Sequence, residues 1–332
     1  MSKGMKGAVI GYGGAFNMGR AHLGWMQAAG IEPYAACDTD AKRLEVARTE
    51  FPGIRTYSSV EELLADEAVD LCVVILPHNL HARIAIQCAE AGKHVIVEKP
   101  MCLTVAEADA MIAAAKKAGV MLSVFHNRRW DGDYCAIRQA VQKGVLGDIF
   151  QIEAYAGGYG HPGTWWRAEK AVSGGVMFDW GAHFIDWILN LTSASVTGVN
   201  GIFQKRVWKD VTNEDYALAT WRFSDGCAAQ LEIGTISYAP KPRWRILGTR
   251  GALVDEGKEP FIIYTAVEGY QARLQVPYQK SDWGAYYRNI VAHLRSGEEL
   301  AVKPEEARRV IAIMEAAERS ALSGQTVAPD YS

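Results

Sequence analysis

The chain has 332 residues, a length typical of about two domains. Hydrophobic residues make up 49% and charged residues 22%, which is the composition of a folded protein and excludes a disordered one. The 35 basic and 38 acidic side chains leave a net charge of −3, so the chain lacks the basic excess typical of nucleic-acid or anionic-membrane binding. Aromatic residues are abundant, and four of the ten tryptophans fall between positions 165 and 187.

Three absences indicate the compartment. The apolar run at the start of the chain is too short for a signal peptide, so we expect none. The sequence also lacks a run of about 18 uncharged apolar residues, so we expect no membrane span. Six cysteines are scattered without a CxxC pair, so we expect buried, reduced thiols in a cytoplasmic protein. Because no His, Cys, Asp and Glu cluster has the spacing of metal ligands, we also expect no metal site.

From residue 5 to about 125, short apolar runs alternate with longer amphipathic segments. This alternation predicts a parallel sheet covered by helices on both faces, as in α/β proteins. Thr104 with Glu107 predicts a capping box, and Gly92 and Gly119 stand where helices should end. The predicted strands are 7–11, 33–37, 71–76, 94–97 and 121–125, and the predicted helices are 19–29, 40–50, 60–65, 80–91 and 104–118.

From about 149 to 276 the apolar pattern changes to period two, as in Ala229, Leu231 and Ile233. This period predicts one mostly antiparallel sheet, interrupted by an apolar helix over 175–191. Two further helices, 282–296 and 304–322, are expected to close the chain, with Pro304 in a first helical turn. We therefore expect two domains, 1–125 and 126–332.

A glycine-rich loop, Gly11-Tyr12-Gly13-Gly14-Ala15-Phe16-Asn17-Met18-Gly19, follows the first predicted strand. Glycines let the backbone approach phosphates and a helix N-terminus offers N–H groups, so the loop predicts a pyrophosphate site. Asp38, after the second strand, can accept hydrogen bonds from a ribose 2′-OH and would repel a 2′-phosphate, which favours NAD over NADP. Phe16 stands where the usual G-x-G-x-x-G pattern has its third glycine, and a ligand-free turn is the alternative.

Lys99 follows the predicted strand 94–97 within Glu98-Lys99-Pro100. Residues just past the carboxyl ends of parallel strands line a ligand crevice, and a lysine there can hydrogen-bond a substrate hydroxyl or stabilise a developing alkoxide. Pro100 would fix the turn, and its peptide bond can be cis. A solvated surface lysine is the alternative.

The predicted helix 175–191 carries Asp179, His183 and Asp186 at positions i, i+4 and i+7, which would place them on one face. An imidazole exchanges protons near neutral pH, and a neighbouring carboxylate can orient it. The alternative is a core histidine that is satisfied by an aspartate of the same helix.

Taken together, these motifs resemble the Gfo/Idh/MocA family of NAD(P)-dependent sugar and cyclitol oxidoreductases. The resemblance covers nearly the whole chain, although the phosphate loop, aligned on His22, is about three residues longer than usual. It implies an N-terminal Rossmann domain and a C-terminal α+β domain whose large open sheet forms a homodimer or homotetramer. Segment 126–131 is similar to that of members acting on scyllo-inositol and related polyols.

The resemblance also implies roles for individual residues. His183 would accept the proton of a secondary hydroxyl, Lys99 would polarise or help deprotonate that oxygen, and Asp179 would tune His183 and hold a second hydroxyl. The expected cofactor contacts are Gly11, Gly13, Gly14, Met18, Gly19, Asp38, Pro77, His78, His81, Glu98 and Lys99. The expected substrate contacts are Lys99, Asn127, Arg128, Trp166, Arg167, Asp179 and His183.

The tryptophans divide into two groups. Trp165 and Trp166 precede Arg167 in a loop, where rings can stack on sugar C–H faces and the arginine can bind hydroxyls. Packing on the core or on a neighbouring subunit is the alternative for these two rings. Trp180 and Trp187 are expected in the core, because their helical spacing makes one buried stripe.

We therefore predict an enzyme that transfers a hydride between NAD and a ring secondary hydroxyl of a sugar, sugar derivative or cyclitol. Two alternatives stay open: glycoside cleavage through transient oxidation by tightly bound NAD, and a non-catalytic nucleotide-binding regulator. Arg128 and Arg129 can bind an acidic group of the substrate or serve the structure. Nucleic acid and membrane are not expected as partners.

Overall fold

The computed structural model describes residues 4–13 and 16–331. The chain divides into two compact units. The first runs to His126 and includes Trp283–Arg308, and the second comprises Asn127–Asp282 and the chain from Arg309 onward. Among the helices in these described ranges, none is long and apolar enough to cross a membrane.

The first unit contains a six-stranded sheet in which every pair of neighbours is parallel. Its strands are β1 (Lys6–Ile10), β2 (Glu32–Cys37), β3 (Arg55–Tyr57), β4 (Leu71–Val74), β5 (His94–Val97) and β6 (Leu122–Val124). The spatial order is β3-β2-β1-β4-β5-β6, so the order reverses between β1 and β4. Such a reversal opens a crevice at the carboxyl ends of the strands.

Helices connect these strands, as the alternating pattern predicts. They are α1 (Met18–Ala28), α2 (Ala41–Glu50), α3 (Val60–Leu64), α4 (His81–Glu90) and α5 (Val105–Ala118). Val9, Val73 and Ile96 at the strand centres are fully buried, because both faces of the sheet are covered. The capping box of Thr104 is confirmed, and only the three-residue strand β3 is missing from the prediction.

The second unit contains an eight-stranded sheet, in which β7 and β10 are parallel and the other neighbours are antiparallel. Its strands are β7 (Ile149–Gly157), β8 (Val196–Gln204), β9 (Tyr216–Phe223), β10 (Ala228–Gly234), β11 (Trp244–Gly248), β12 (Gly251–Asp255), β13 (Phe261–Val267) and β14 (Tyr270–Val276). Their order is β14-β13-β12-β11-β7-β10-β9-β8. The mostly antiparallel open sheet is therefore confirmed.

Four helices of eight or more residues complete the described part of the chain: α6 (Gly132–Gln142), α8 (Trp180–Leu189), α9 (Gly284–Ser296) and α10 (Pro304–Ser323), with the short α7 (Lys170–Ser173) between α6 and α8. The two closing helices are confirmed, whereas α6 is missing from the prediction. In the second sheet, β12 follows β11 after a turn of two residues.

The segment 175–191 is not one continuous helix, and this corrects the prediction. A short 3-10 turn, Val176–Phe178, is followed by Asp179 with φ −85° and ψ −86°, and α8 begins only at Trp180. Gly174 and Gly175 precede the turn with φ of 88° and 113°, values that favour glycine. Asp179 therefore precedes α8 and is not a residue of the same helix as His183.

The predictions for the two helical tryptophans have different outcomes. Trp187 is fully buried, as expected. The prediction for Trp180 is wrong, because this first residue of α8 is 37% exposed. The Arg128 guanidinium lies 4.7 Å from the centre of the Trp180 ring and that of Arg243 lies 5.7 Å from it, so cations replace the expected apolar packing.

The cysteines agree with the predicted thiols. None of the six is paired in a disulfide, and five are buried, whereas Cys135 is half-buried. Burial raises the pKa of Cys37 to about 12 and that of Cys227 to about 11, which keeps both side chains protonated. These sulfur atoms act as small apolar groups within the fold.

Candidate active site

The glycine-rich loop of the first unit needs glycine at two described positions. Gly11 has φ +91°, and a Cβ there would lie 2.0 Å from the carbonyl oxygen of Ile75. A Cβ on Gly19, in the first turn of α1, would lie 2.6 Å from the carbonyl oxygen of Tyr12. Gly19 thus allows the close packing of helix on strand that the third glycine of the usual pattern provides. Gly14, an expected contact, lies outside the described residues.

Asp38 follows β2 and its carboxylate reaches the same loop. Its Oδ2 accepts hydrogen bonds from the backbone N–H groups of Tyr12, at 3.0 Å, and Gly13, at 3.1 Å. Its Oδ1 accepts the N–H of Asp40 at 2.9 Å. The structure therefore brings Asp38 and the loop together, and each contact uses the carboxylate as an acceptor.

These residues fit a dinucleotide. The loop and the beginning of α1, at Met18, follow β1, where the strand order reverses. Backbone N–H groups at such a helix N-terminus bind phosphate, and an acidic group at the end of β2 accepts ribose hydroxyls. Pro77 and His78 follow β4 at the neighbouring strand end, and His78 is almost fully buried.

Lys99 is held in a turn directly after β5. The Lys99–Pro100 peptide bond is cis, and the backbone N–H of Lys99 donates to Glu98 Oε2 at 3.0 Å. Glu98 Oε1 lies 3.1 Å from Nε2 of His22 on α1. On the other side of the turn, His81 Nδ1 lies 2.8 Å from the carbonyl oxygen of Pro100. The expected contacts Lys99, Glu98 and His81 are thus neighbours within the first unit.

Glu98 is a charged carboxylate in this turn. Burial raises its pKa, but the hydrogen bond from His22 and the positive charge of Lys99 help to bring the pKa below its ordinary value. Sequence reasoning used His22 only as an alignment landmark and assigned it no role. The sequence feature that could have indicated a role for His22 is a polar side chain on the buried face of α1, beside Leu23 and Met26.

In the second unit, Asp179 and Arg167 form an ion pair. Arg167 Nη1 donates to Asp179 Oδ1 at 3.1 Å, and the aspartate side chain is 47% exposed. The guanidinium lies over the ring of Trp166, at 4.6 Å, and near that of Trp165, at 5.5 Å. Three expected substrate contacts, Trp166, Arg167 and Asp179, are therefore adjacent, with a polar and an aromatic face side by side.

His183 lies in the first turns of α8 and is only 5% exposed. Its ring meets that of Trp180 edge to face, with centroids 5.8 Å apart, and stacks beside that of Trp187 at 6.1 Å. Asp186, expected on the same helical face, pairs with Arg129 through two hydrogen bonds of 2.8 and 2.5 Å, and both side chains are buried. Arg129 therefore has a structural contact with Asp186.

The segment before α6 holds the other two expected substrate contacts. Asn127 is buried in a 3-10 turn that ends at Trp130. Arg128 Nη1 donates to Asp131 Oδ2 at 2.8 Å, and the Arg128 carbonyl accepts the indole N–H of Trp187 at 2.9 Å. Arg128 also reaches the exposed Trp180 ring, so this segment is fastened to α8 by both backbone and side chain.

Two residues that sequence reasoning missed hold the Arg167 and Asp179 segment. Asn213 Nδ2 donates to the carbonyl oxygen of Arg167 at 2.6 Å, and its Oδ1 accepts the Ser173 hydroxyl at 3.1 Å. Glu214 accepts the backbone N–H of Val176 at 3.2 Å and the ammonium of Lys170 at 2.6 Å. No local pattern marks these residues, because their partners lie about 40 positions away.

The parallel sheet, the glycine loop and the acidic end of β2 define a Rossmann-type nucleotide-binding domain, and with the turn at Lys99 they indicate a nucleotide-dependent oxidoreductase. Residues 5–126 match the model of the oxidoreductase family with an NAD-binding Rossmann fold. Residues 134–254 match the GFO/IDH/MocA C-terminal domain. The chain belongs to the Gfo/Idh/MocA family of oxidoreductases, as its motifs predicted.

Individual relatives agree with this membership over most of the chain. The scyllo-inositol 2-dehydrogenase (NADP(+)) of Bacillus subtilis is 29% identical over 90% of this chain and 89% of its own length. The myo-inositol 2-dehydrogenase of Thermotoga maritima is 26% identical over 86% of this chain and 88% of its own. The crystal structure of an NAD-binding protein from Listeria innocua superposes with a TM-score of 0.88, at 30% identity, covering 98% of this chain and 97% of that one.

Proposed function

We propose that the enzyme oxidises a ring secondary hydroxyl of an uncharged sugar or cyclitol, with NAD as the hydride acceptor. One observation supports an uncharged substrate over an acidic one. Each arginine that sequence reasoning offered to the substrate is matched by a carboxylate: Arg167 by Asp179, Arg128 by Asp131 and Arg129 by Asp186. An acidic sugar would need a cation whose charge is not already balanced.

The relatives support the same substrate class. The Bacillus and Thermotoga enzymes carry the names of inositol dehydrogenases, and inositols are uncharged rings with only secondary hydroxyls. The aromatic face of Trp166 beside the polar Arg167 and Asp179 suits such a ring, because its C–H face is apolar and its rim is hydroxylated.

This proposal assigns a separate role in the reaction to each of Lys99, Asp179 and His183. NAD held by Gly11, Gly19 and Asp38 would supply the acceptor for the hydride of the carbon that bears the reacting hydroxyl. His183 takes the hydroxyl proton as general base, and the ammonium of Lys99 donates a hydrogen bond to the oxygen as negative charge develops. Asp179 accepts a hydrogen bond from a second hydroxyl and orients the ring.

Asp38 supports NAD as the physiological cofactor. Its carboxylate stands at the end of β2, and its negative charge would repel the 2′-phosphate of NADP. The Bacillus relative is named for NADP(+), so members of the family differ in this respect.

Reduction of NAD by a small panel of polyols tests the proposal. The panel contains scyllo-inositol, myo-inositol, D-glucose and, as the charged comparison, D-glucuronate. We expect NADH to form with at least one uncharged member and the catalytic efficiency with D-glucuronate to be on the order of a hundredfold lower. Preferred oxidation of D-glucuronate would overturn the charge argument, and cleavage of a glycoside without net NADH would replace the proposed reaction with transient oxidation.

A further inference from the structure

The residues on both sides of Lys99 are held by buried histidines, and each histidine comes from a different helix. His22 on α1 and His81 on α4 are both fully buried. His22 contacts Glu98, the residue before Lys99, and His81 contacts Pro100, the residue after it. The segment Glu98-Lys99-Pro100 therefore lies between two buried imidazoles, of which His22 has no assigned role and His81 has only been named as an expected cofactor contact.

His22 has a hydrogen-bond partner at each ring nitrogen. Nε2 lies 3.1 Å from Glu98 Oε1, and Nδ1 lies 2.6 Å from the hydroxyl oxygen of Tyr287 on α9. The Glu98 carboxylate can only accept, so Nε2 carries a hydrogen and donates. Burial raises the pKa of Tyr287 well above its ordinary value, so its hydroxyl is protonated and can donate to Nδ1.

The chain of hydrogen bonds therefore has one consistent direction. Tyr287 donates to His22, His22 donates to Glu98 Oε1, and Glu98 Oε2 accepts the backbone N–H of Lys99 at 3.0 Å. Around His22 lie the rings of Phe125, at 4.4 Å, and Trp25, at 5.5 Å. In such apolar surroundings a lost hydrogen-bond partner leaves a costly unsatisfied group, which favours a single arrangement.

His81 holds the other side of the turn. Its Nδ1 lies 2.8 Å from the carbonyl oxygen of Pro100, and its Nε2 lies 2.8 Å from the carbonyl oxygen of Leu76, just beyond β4. Carbonyl oxygens only accept, so both ring nitrogens donate in this arrangement, as they do in an imidazolium. The turn after β5 is thereby joined to the segment after β4.

We infer that His22, His81 and Tyr287 are positioning residues that fix the backbone of Lys99 and so aim its ammonium at the reacting oxygen. This inference rests on the proposed function, because it assumes that Lys99 acts on the substrate. His22 contacts Glu98, Tyr287 contacts His22, and His81 contacts Pro100, so each of the three reaches Lys99 through the turn. A lysine on a mobile turn would lose orientation, and misplacement of a reacting group slows the chemical step more than it weakens binding.

Adjacent tyrosines of α9 provide a matched pair of variants. Tyr287→Phe removes only the hydroxyl that donates to His22. Tyr286→Phe removes a buried hydroxyl that donates to Ser123 at 2.9 Å, a contact that does not reach the Lys99 turn. Both variants lose one buried hydrogen bond, so a purely structural role predicts equal loss of thermal stability and no difference in turnover.

We expect Tyr287→Phe to lower kcat by about five- to tenfold with the panel member that wild type oxidises fastest, and KM for NAD to stay within about twofold. Tyr286→Phe should keep kcat within about twofold. Hydrogen–deuterium exchange at the Lys99 amide should be faster in Tyr287→Phe than in Tyr286→Phe. Equal kcat values for the two variants overturn the inference, whatever the exchange rates are.

Graded variants of His22 and a Lys99 variant complete the test. His22→Gln keeps a donor toward Glu98 and should retain more turnover than His22→Leu, which keeps none; an equal loss in both variants would indicate packing and overturn the inference. Lys99→Met should abolish most turnover while NAD binding persists. An active Lys99→Met variant overturns the proposed function and with it this inference. If Lys99→Met is inactive and the separate Tyr287→Phe variant has normal turnover, the inference alone is overturned.

Discussion

Arg167 Nη1 and Asp179 Oδ1 lie 3.1 Å apart within the second unit. The opposite charges of this pair cancel each other, and the guanidinium lies next to the rings of Trp165 and Trp166. Their contact joins two sequence signals that were separate predictions, an arginine in an aromatic loop and an aspartate near an apolar helix. The pair makes this part of the candidate site polar but without net charge, which is the property on which the proposed substrate class depends.

Arg167→Met tests whether the pair serves the substrate. Loss of the guanidinium removes a donor and leaves the charge of Asp179 unbalanced, so we expect KM for the best polyol to rise on the order of tenfold and kcat to fall less. Steady-state kinetics measure both constants. Arg245→Met is the matched control, because Arg245 forms an ion pair with Glu153 at 2.7 Å elsewhere in the same unit. An identical KM in both variants would exclude Arg167 from substrate binding.

Asp38→Ser tests the cofactor preference. Removal of the carboxylate abolishes its repulsion of a 2′-phosphate, so the ratio of kcat/KM for NADP to that for NAD should rise by roughly ten- to a hundredfold. The variant also loses the acceptor for the N–H groups of Tyr12 and Gly13, so efficiency with NAD should fall. An unchanged ratio, measured with both cofactors on one polyol, would remove Asp38 from cofactor selection.

His183→Ala tests the proposed general base. Because proton removal by a positioned side chain typically contributes 10²–10⁴-fold, we expect kcat to fall by at least about a hundredfold. Affinity for NAD, measured by calorimetry without polyol, should stay nearly unchanged. His94→Gln is the control, since His94 accepts the backbone N–H of Met121 at the amino end of β5. A His183→Ala enzyme with normal turnover would contradict the assignment.

Asp66→Asn tests how the first unit depends on pH. The Tyr57 hydroxyl donates to Asp66 at 2.6 Å, and this bond, with further donors, lowers the pKa of Asp66 to about 2. A depressed carboxyl pKa adds stability above the unfolded value near 4, and that stability is lost as pH falls toward 2. We expect Asp66→Asn to lose about 2 kcal/mol of stability at pH 7 and much less at pH 2.

The measurement for Asp66→Asn is urea unfolding at both pH values, followed by circular dichroism. Glu67→Gln is the control, because Glu67 is the exposed neighbour in sequence. If Asp66→Asn and Glu67→Gln have the same stability at pH 7, the hydrogen bonds of Asp66 contribute nothing measurable to folding.

Much of the fold could be predicted because it depends on local patterns. The apolar runs of β1, β4 and β5 are buried on both faces. The alternation in β10 identifies the buried positions Ala229, Leu231 and Ile233, although Glu232 on the opposite face is buried as well. The predictions failed where a pattern was too short or was overridden. Strand β3 has only three residues, and the helical spacing of Asp179 and His183 concealed a break caused by the backbone at residues 174–179.

The candidate site was less predictable than the fold, because its residue types are local but its pairings are not. Phe16 occupies the position of the third glycine in the usual pattern, which suggested that this glycine is missing. In the structure, Gly19 packs closely against Tyr12 and so fulfils the role of the third glycine. Asp186 had the right spacing for a partner of His183, but Arg129, 57 positions away, forms the ion pair with it. Spacing along one helix cannot reveal a partner that another segment supplies.

The sequence by itself determined the family, the parallel and antiparallel sheets and the residues that are candidates for chemistry, since periodicity and motif depend on neighbours along the chain. Only the tertiary structure decided which charges are matched and which polar groups support Lys99. Arg167 meets Asp179, and His22 joins Tyr287 to Glu98 across as many as 265 positions. The physical reason is that a buried polar group is satisfied by whichever partner folding brings to it. Local sequence patterns do not indicate a partner that lies far away along the chain.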